Sequence, residues 1–192
     1  MPKAASYLSS SLLWQPMLRL ARHQYPASAL QDWLSDSGSL TARLIAQSEG
    51  QFKVQVLRQI IAVPLLNERQ VLDMKRPALA LIREVILYGK DQPWVFARSI
   101  LPLSSLTGSL RHLRKQGSRP LGAFLFSQPQ LTRSAIAVAR ISRDHAYVPA
   151  ELAGNQPLWG RRSVFYLHRK PLLVSEVFLP AFADQLALPL TR

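Results

Sequence analysis

The sequence predicts an α+β fold in which helices pack against an antiparallel β-sheet. Two pairs of strand-like segments lie next to each other along the chain, each pair joined by a short polar turn, as in β-hairpins. Segments with helical spacing precede and separate these pairs, whereas single strands and helices do not alternate as they do in parallel sheets. With 192 residues and no internal repeat or linker, the chain is expected to form one domain spanning residues 1–192.

The N-terminal part of the chain predicts two short helices. Residues 1–26 are poorly patterned, and we expect part of this segment to be mobile. Ser28–Ser35 has apolar residues at helical spacing and a serine at its start as a potential N-cap. A second helix begins near Leu40 with Ser39 as its cap, so the first backbone N–H groups after Ser39 lack helical partners.

The first predicted hairpin is preceded by a separate strand. Residues 53–61 alternate with a period of two and predict that strand, and residues 63–68 predict a loop. Residues 79–88 and 94–101 predict the hairpin strands, because glycine and polar residues at positions 89–92 supply a turn between them.

The region between the two hairpins predicts helices. Residues 102–117 are polar, basic and partly helical in pattern. Ser118 can cap a helix that begins near Leu121, because Pro120 is tolerated in a first helical turn. Residues 129–141 are predicted to form a further helix, since their apolar residues recur at helical spacing.

The second hairpin carries a carboxylate that points to function. Residues 164–167 and 172–178 predict its strands, and residues 168–171 predict its turn. Because side chains alternate between the two faces of a strand, Glu176 shares a face with the apolar Val174 and Phe178. A carboxylate there is unfavourable unless it is paired, hydrogen-bonded, protonated or facing a polar cavity.

Arginines on the other strands follow the same pattern. Arg58, Arg83 and Arg98 each share a predicted strand face with apolar neighbours. If these faces coincide with that of Glu176, the core contains a polar island, and its excess of arginine favours an anionic ligand. A second interpretation is a buried ion pair between Arg83 and Glu176 without any ligand, and Glu84 makes the face assignment of its strand ambiguous.

The composition narrows the possible chemistry. The chain has no cysteine, which excludes disulfides, thiolate nucleophiles and cysteine-based zinc sites. Its four histidines lack metal-ligand spacing, and the sequence contains no P-loop, dinucleotide fingerprint or nucleophile elbow.

The net charge of +13 favours anionic partners such as nucleic acid, anionic lipid or a small polyanion. The basic residues at 111–115 can contact nucleic acid, but a solvated helix face is the better interpretation, because no aromatic stacking platform accompanies them. No apolar run reaches the length of a membrane span and no signal-peptide core is present, so we expect a soluble, cytoplasmic protein.

Several blocks of the chain, in the right order, resemble the chorismate lyase family, bacterial enzymes that make 4-hydroxybenzoate for ubiquinone. The longest of these blocks are IREVIL at residues 82–87, PLSSLTG at 102–108, LWGRRS at 158–163 and EVFLP at 176–180. The other blocks lie at residues 93–98, 120–126, 131–133 and 170–173. The resemblance covers most of the chain from Leu30 to Pro180 and is weak before that.

This resemblance implies a fold, a reaction and a set of partners. The fold is a single antiparallel sheet with helices packed against it and an internal ligand cavity closed by helical flaps. The reaction converts chorismate to 4-hydroxybenzoate and pyruvate without cofactor or metal, as the first committed step of ubiquinone biosynthesis. We expect a monomer that binds chorismate and 4-hydroxybenzoate, with no nucleic acid, no membrane span and at most a weak contact with anionic lipid.

The resemblance also implies roles for individual residues. The carboxylate-binding arginine of the family falls on Arg83 and its hydroxyl-contacting glutamate on Glu176, and these two are the expected catalytic residues. Backbone amide donors fall on Leu121 and, in a flap, near Leu40, and a second arginine near the product exit falls on Arg98. One member of the family has methionine at the position of Leu40, and a backbone contact tolerates the change to leucine.

Two other classes of function stay open at this point. A similar fold serves as a non-catalytic effector-binding module in some bacterial transcription regulators, so the chain can be a ligand-binding domain rather than an enzyme. RNA binding is the third class, and it rests on the net charge alone.

Overall fold

In the computed structural model, which describes residues 12–186, one antiparallel sheet of seven strands carries short helices on its faces, confirming the predicted fold class. The helices are α1 (Ser28–Ser35), α2 (Leu40–Gln47), α3 (Leu66–Val71), α4 (Leu121–Phe126), α5 (Ala150–Ala153) and α6 (Pro180–Gln185), with a 3-10 helix at Gly108–Lys115. The strands are β1 (Phe52–Ala62), β2 (Ala80–Gly89), β3 (Gln92–Pro102), β4 (Thr132–Arg133), β5 (Ala137–Ile141), β6 (Leu158–Leu167) and β7 (Lys170–Phe178). Within residues 12–186, every helix is too short or too polar to cross a bilayer.

The two predicted hairpins form the centre of the sheet. The strand order is β1-β2-β3-β7-β6, with β4 and β5 both paired along the outer side of β6. The hairpin turns are short, and each has two polar residues with positive φ, Lys90 and Asp91 in the first and His168 and Arg169 in the second. Such left-handed pairs form the tight turns whose twist matches that of the flanking strands.

The predicted helix over residues 129–141 is wrong, because this segment forms β4 and β5. Its apolar residues fit a helical spacing, but a short apolar run does not distinguish a helix from a strand. In the folded chain the outer edge of β6 has backbone N–H and C=O groups that need partners, and β5 forms hydrogen bonds with them. In this pairing Val138 lies opposite Arg161. The predicted loop at residues 63–68 is also only partly right, because α3 begins at Leu66.

A bulge in β1 corrects the predicted face of Arg58. Val56 pairs with Val85, and after the bulge Arg58 pairs with Glu84, so Arg58 lies on the opposite face of the sheet from Val54 and Val56. The alternation of the sequence predicted a common face for these residues, and an inserted residue reverses every later side chain in the strand.

The sheet has two faces with different coverings. We call the side that carries Arg83 and Glu176 the cavity face and the other side the back face. Aromatic rings anchor α1 and α6 on the cavity face: Phe182 lies 4.8 Å from Trp33 and 5.2 Å from Phe178, measured between ring centroids. These contacts fix the end of α1 close to the strand that carries Glu176.

The N-terminal segment that was expected to be partly mobile falls in part on residues 1–11, outside the described residues. Within the rest, Gln15 forms a β-bridge with Val138, and short 3-10 turns cover Met17–Arg19 and Arg22–Gln24. The single-domain assignment for residues 1–192 stays a prediction.

Candidate active site

Arg83 is a buried cation without an acidic partner. It lies in β2 with 3% of its surface exposed, on the same face as Val85. Its guanidinium donates to the carbonyl oxygens of Gly117 at 2.6 Å and Arg119 at 3.2 Å, in the loop before α4. None of the ion pairs formed by residues 12–186 includes Arg83. Burial lowers the pKa of its guanidinium, as expected for a positive charge without a counterion.

Glu176 lies in β7 on the same face, and a neighbouring arginine holds it. Arg161, directly opposite in β6, donates from Nε to Oε2 of Glu176 at 2.7 Å. Arg161 also donates from Nη1 to the carbonyl oxygens of Trp33 and Asp36, both at 2.8 Å, at the end of α1. One buried guanidinium therefore fixes both the orientation of Glu176 and the position of the segment between α1 and α2.

Arg83 and Glu176 border one small enclosed cavity of about 30 Å³. The other lining residues are Thr41, Val54, Val85, Leu87, Ala97, Ser99, Pro120, Leu121, Gly122 and Val174. The walls are mostly apolar, with an arginine and a carboxylate as the charged groups. The chemistry of this lining matches a small ring with a negative substituent and a hydroxyl group.

Two helix starts close the cavity on the side away from the sheet. The hydroxyl of Ser39 accepts from the backbone N–H of Ala42 at 3.3 Å, which caps α2 as predicted. A Cβ atom added to Gly122, in the first turn of α4, would lie 2.8 Å from Oγ1 of Thr41, so the two helices pack tightly. The first backbone N–H groups of α2 and α4, which include those of Leu40 and Leu121, lack partners within their helices.

Arg98 does not join this group. It lies on the back face, where it donates to Glu68 from Nε at 2.7 Å and from Nη2 at 3.1 Å, and it also pairs with Glu84. Burial acts to lower the pKa of Arg98, but the hydrogen bonds and charge of Glu68 outweigh burial and raise it. The structure therefore brings Arg83, Glu176 and Leu121 to one cavity and places Arg98 across the sheet from them.

Two residues of the site face were missed from the sequence alone. Arg161 is the partner of Glu176, and Arg133 pairs in register with Phe165 and stacks over its ring at 5.0 Å. The sequence contained a signal for Arg161, because residues 161 and 162 are both arginine. Two successive side chains of a strand point to opposite faces, so one of these two arginines lies on the cavity face. The signal for Arg133 was hidden because its segment was assigned to a helix.

Most of the chain is similar to one family of known proteins. A family model described as chorismate lyase covers residues 8–187. A probable chorismate pyruvate-lyase of Aromatoleum aromaticum is 43% identical over 172 residues, which are 86% of this chain and 92% of that protein. Another, of Pseudomonas aeruginosa, is 41% identical over 178 residues, or 93% of this chain and 97% of that protein.

Solved structures with a similar backbone are more distant in sequence. The effector domain of PhnF from Mycobacterium smegmatis has a TM-score of 0.52 and 16% identity, covering 75% of this chain and 90% of that one. The C-terminal domain of the histidine utilization repressor from Pseudomonas syringae has a TM-score of 0.51 and 14% identity, covering 68% and 92%. At these identities the similarity concerns the fold alone.

Proposed function

The chain belongs to the chorismate lyase family, and we propose that it converts chorismate to 4-hydroxybenzoate and pyruvate. The observation that carries this proposal is that Arg83, buried without an acidic partner, and Glu176 border the same cavity. A buried guanidinium whose partners are the uncharged oxygens of Gln59, Gly117 and Arg119 favours a bound anion, and a carboxylate in the same cavity favours a ligand that also bears a hydroxyl.

In the proposed complex the ring carboxylate of chorismate binds Arg83. The backbone N–H groups of Leu121 and Leu40 donate to the same carboxylate, because helix starts carry free donors and a partial positive charge. Ring carboxylate and ring hydroxyl lie at opposite ends of the six-membered ring. The hydroxyl therefore reaches the end of the cavity formed by Glu176.

Glu176 orients the ring through its hydroxyl. Arg161 occupies Oε2 of Glu176, and within residues 12–186 the other carboxylate oxygen has no hydrogen-bond donor. That oxygen is the proposed acceptor for the hydroxyl of the ligand. Arg161 acts as a positioning residue, since it touches Glu176 and the end of α1 rather than the ligand.

The reaction requires little more than holding one conformer of the substrate in a dry site. The ether C–O bond to the ring breaks, and its electron pair stays with the enolpyruvyl oxygen. The ring carbon that bears the hydroxyl loses its proton, and those electrons complete the aromatic ring. The released enolate gains a proton at its methylene carbon and becomes pyruvate, so no oxidant or cofactor is consumed. Enclosure and orientation are the contributions expected from this site.

The enclosed cavity implies a movement of its lid. A volume of about 30 Å³ is smaller than a benzoate ring requires, so α2 or α4 must shift to admit the ligand. Release of the product needs the same movement and is expected to limit turnover.

Incubation of the purified protein with chorismate tests the proposal directly. We expect 4-hydroxybenzoate and pyruvate to appear in equal amounts, measured by absorbance and by a coupled lactate dehydrogenase assay. A chelator in a parallel reaction is expected to leave the rate unchanged. If neither product forms while chorismate stays intact, the proposed activity is wrong.

Glu176→Gln separates orientation of the ring from removal of its proton. Glutamine keeps a hydrogen-bonding group at the position but cannot accept a proton at neutral pH. We expect the single-turnover rate constant to fall by about 10-fold if Glu176 only orients the ring, and by about 100-fold to 10,000-fold if it is the general base. Single-turnover kinetics measure the chemical step without product release, and an unchanged rate would contradict both roles.

Binding without catalysis is the second candidate function. Solved structures of similar fold include effector domains of transcription regulators, so the same cavity can hold a ligand without converting it. Tight binding of 4-hydroxybenzoate combined with no turnover of chorismate would favour this candidate.

The cellular context is part of the same proposal. We place the reaction in the cytoplasm, at the first committed step of ubiquinone biosynthesis, carried out by a monomer without cofactor. The role of Arg98 near the product exit also stays a prediction. The net charge of +13 supports steering of a dianionic substrate and a weak contact with anionic lipid, which co-sedimentation with anionic and neutral vesicles would measure.

A further inference from the structure

Chorismate has two carboxylates, and the proposed site so far accounts for one. Arg83 takes the ring carboxylate, which leaves the carboxylate of the enolpyruvyl side chain without a partner. The side chain is attached to the ring carbon next to the one that bears the hydroxyl. Its carboxylate must therefore emerge near Glu176, at the end of the cavity away from Arg83.

Two arginines of the surrounding strands, Arg161 and Arg98, already have carboxylate partners. Arg161 is paired with Glu176, and its Nη1 donates to two carbonyl oxygens at the end of α1. Arg98 is paired with Glu68 and Glu84, and it lies on the back face, where the sheet separates it from the cavity. Arg98 is therefore separated from a second carboxylate on the cavity face, and Arg161 is already engaged by Glu176 through Nε and by two carbonyl oxygens through Nη1.

Arg133 is available on that face. It is directly opposite Phe165 in the β4–β6 pairing, and paired residues of antiparallel strands point to the same side. Phe165 packs with Leu121 and Val174, which line the cavity, so Arg133 points to the cavity face. Hydrogen bonds between Ser134 and the backbone of Val164 fix the strand at this point.

The guanidinium of Arg133 is incompletely satisfied. Its Nη1 donates to the carbonyl oxygen of Ser37 at 2.9 Å, in the flap segment between α1 and α2. Its Nε is buried, and neither a hydrogen-bond acceptor nor a carboxylate from residues 12–186 reaches it. Burial, followed by the positive charge of Arg161, lowers the pKa of Arg133, and the negative charge of Glu176 acts on it in the opposite direction.

A pocket of about 390 Å³ lies beside Arg133, outside the flap segment. It is lined by Met17, Leu34, Ser35, Ser37, Arg133, Ser134, Ala135, Ile136 and Val138. The contact between Arg133 and Ser37 borders this pocket and lies near Glu176. The pocket is much larger than the cavity over Arg83, and a single cation lies among largely apolar walls.

We propose that Arg133 binds the enolpyruvyl carboxylate of the substrate and that the pocket beside it receives the three-carbon fragment. This inference rests on the proposed function. The carboxylate accepts from the buried Nε and from Nη2 on the same edge of the guanidinium, as Glu84 does with Arg58 and Glu68 with Arg98, while Nη1 keeps the Ser37 carbonyl. A guanidinium presents two parallel donors to a carboxylate, which a carbonyl oxygen cannot match. Arg83 and Arg133 then hold the two ends of one dianion, and of these two arginines only Arg83 touches the product, which has one carboxylate.

The test compares two ligands that differ only in the side chain. These are 4-hydroxybenzoate and 3-(1-carboxyvinyloxy)-4-hydroxybenzoate, whose ring is already aromatic and which cannot lose its side chain by aromatisation. Calorimetric titrations use the wild-type protein, Arg133→Ala, Arg133→Lys and the control Arg140→Ala, which removes an exposed arginine from β5. Melting temperatures check that the variants are folded.

For Arg133→Ala we expect an affinity for the dicarboxylate at least 10-fold below wild type and an affinity for 4-hydroxybenzoate within about 2-fold. Arg133→Lys recovers part of the lost affinity for the dicarboxylate, and Arg140→Ala binds both ligands as tightly as wild type does. The KM of each variant for chorismate changes in parallel with its Kd for the dicarboxylate. Equal losses for both ligands would mean that Arg133 only holds the flap, and no loss for either would mean that the side-chain carboxylate binds elsewhere. Both results overturn the inference and leave the lyase assignment intact, whereas a wild-type protein that binds neither ligand overturns the proposed function itself.

Discussion

Arg83→Ala is expected to lower the affinity for 4-hydroxybenzoate by about 30-fold to 5,000-fold. Removing one partner of a buried, hydrogen-bonded charge pair costs about 2–5 kcal/mol, and each 1.4 kcal/mol or so is a factor of ten in affinity. Arg83 is 3% exposed and has no acidic partner among residues 12–186, so the ligand carboxylate would be its only counterion. Isothermal titration calorimetry measures the change.

Arg58→Ala is the matched control for this variant. Arg58 is on the adjacent strand, faces the other side of the sheet and pairs with Glu84, with 51% of its side chain exposed. Exposed ion pairs contribute about 0–1 kcal/mol, and Arg58 does not line the cavity, so binding should be unchanged.

Arg83 also has a structural role that must be separated from binding. Its hydrogen bonds to Gly117 and Arg119 hold the loop that places the start of α4 over the cavity. Arg83→Lys keeps a charge but loses the fork that reaches two carbonyls and a carboxylate together, so an intermediate affinity is expected. If Arg83→Ala is folded and binds the product as tightly as wild type does, the ring carboxylate binds at another site.

The sequence predicts the centre of the sheet better than its edge. The hairpins β2–β3 and β6–β7 were predictable because their turns are two polar residues that tolerate positive φ. The segment forming β4 and β5 was not, because its pairing depends on the outer side of β6, which is distant in the chain. A local pattern of apolar spacing contains no information about that distant partner.

The candidate site, like the sheet, could be predicted from the sequence only in part. Alternation along each strand was enough to place Arg83 and Glu176 on apolar faces. The family resemblance then assigned both residues to one ligand site. Alternation cannot say which faces of neighbouring strands coincide, because that depends on register and on bulges such as the one before Arg58. For this reason Arg98 could be grouped with Arg83 from the sequence, although it lies on the other face.

The same lack of register hid the partner of Glu176. The cross-strand pairing of Arg161 with Glu176 joins residues of one hairpin, but the turn after Leu167 had to be placed to within one residue. The predicted turn at residues 168–171 is longer than the observed turn at His168 and Arg169. A shift of one residue would have placed Arg162 opposite Glu176 instead.

Arg98→Ala is expected to lower the free energy of unfolding by about 3–5 kcal/mol, the usual cost of breaking a buried ion pair by removing one partner. Glu68 is fully buried and accepts two hydrogen bonds from Arg98, so the variant leaves a carboxylate in the core whose only remaining donor within residues 12–186 is the backbone N–H of Leu65. In a chain of this length each kcal/mol shifts the melting temperature by about 2–4 °C, so a fall of roughly 6–20 °C is expected in calorimetry.

The double variant Arg98→Met with Glu68→Gln decides between a structural and a catalytic role for Arg98. Removing both charges avoids the unpaired carboxylate, and glutamine can still accept from Leu65, so most of the lost stability should return. If Arg98 serves the fold, this variant also recovers kcat and KM for chorismate. If it instead melts like wild type and stays inactive, Arg98 acts on substrate or product, in keeping with the place near the product exit that the family resemblance implies. A melting temperature for Arg98→Ala equal to that of wild type would show that the Arg98–Glu68 pair contributes nothing to stability.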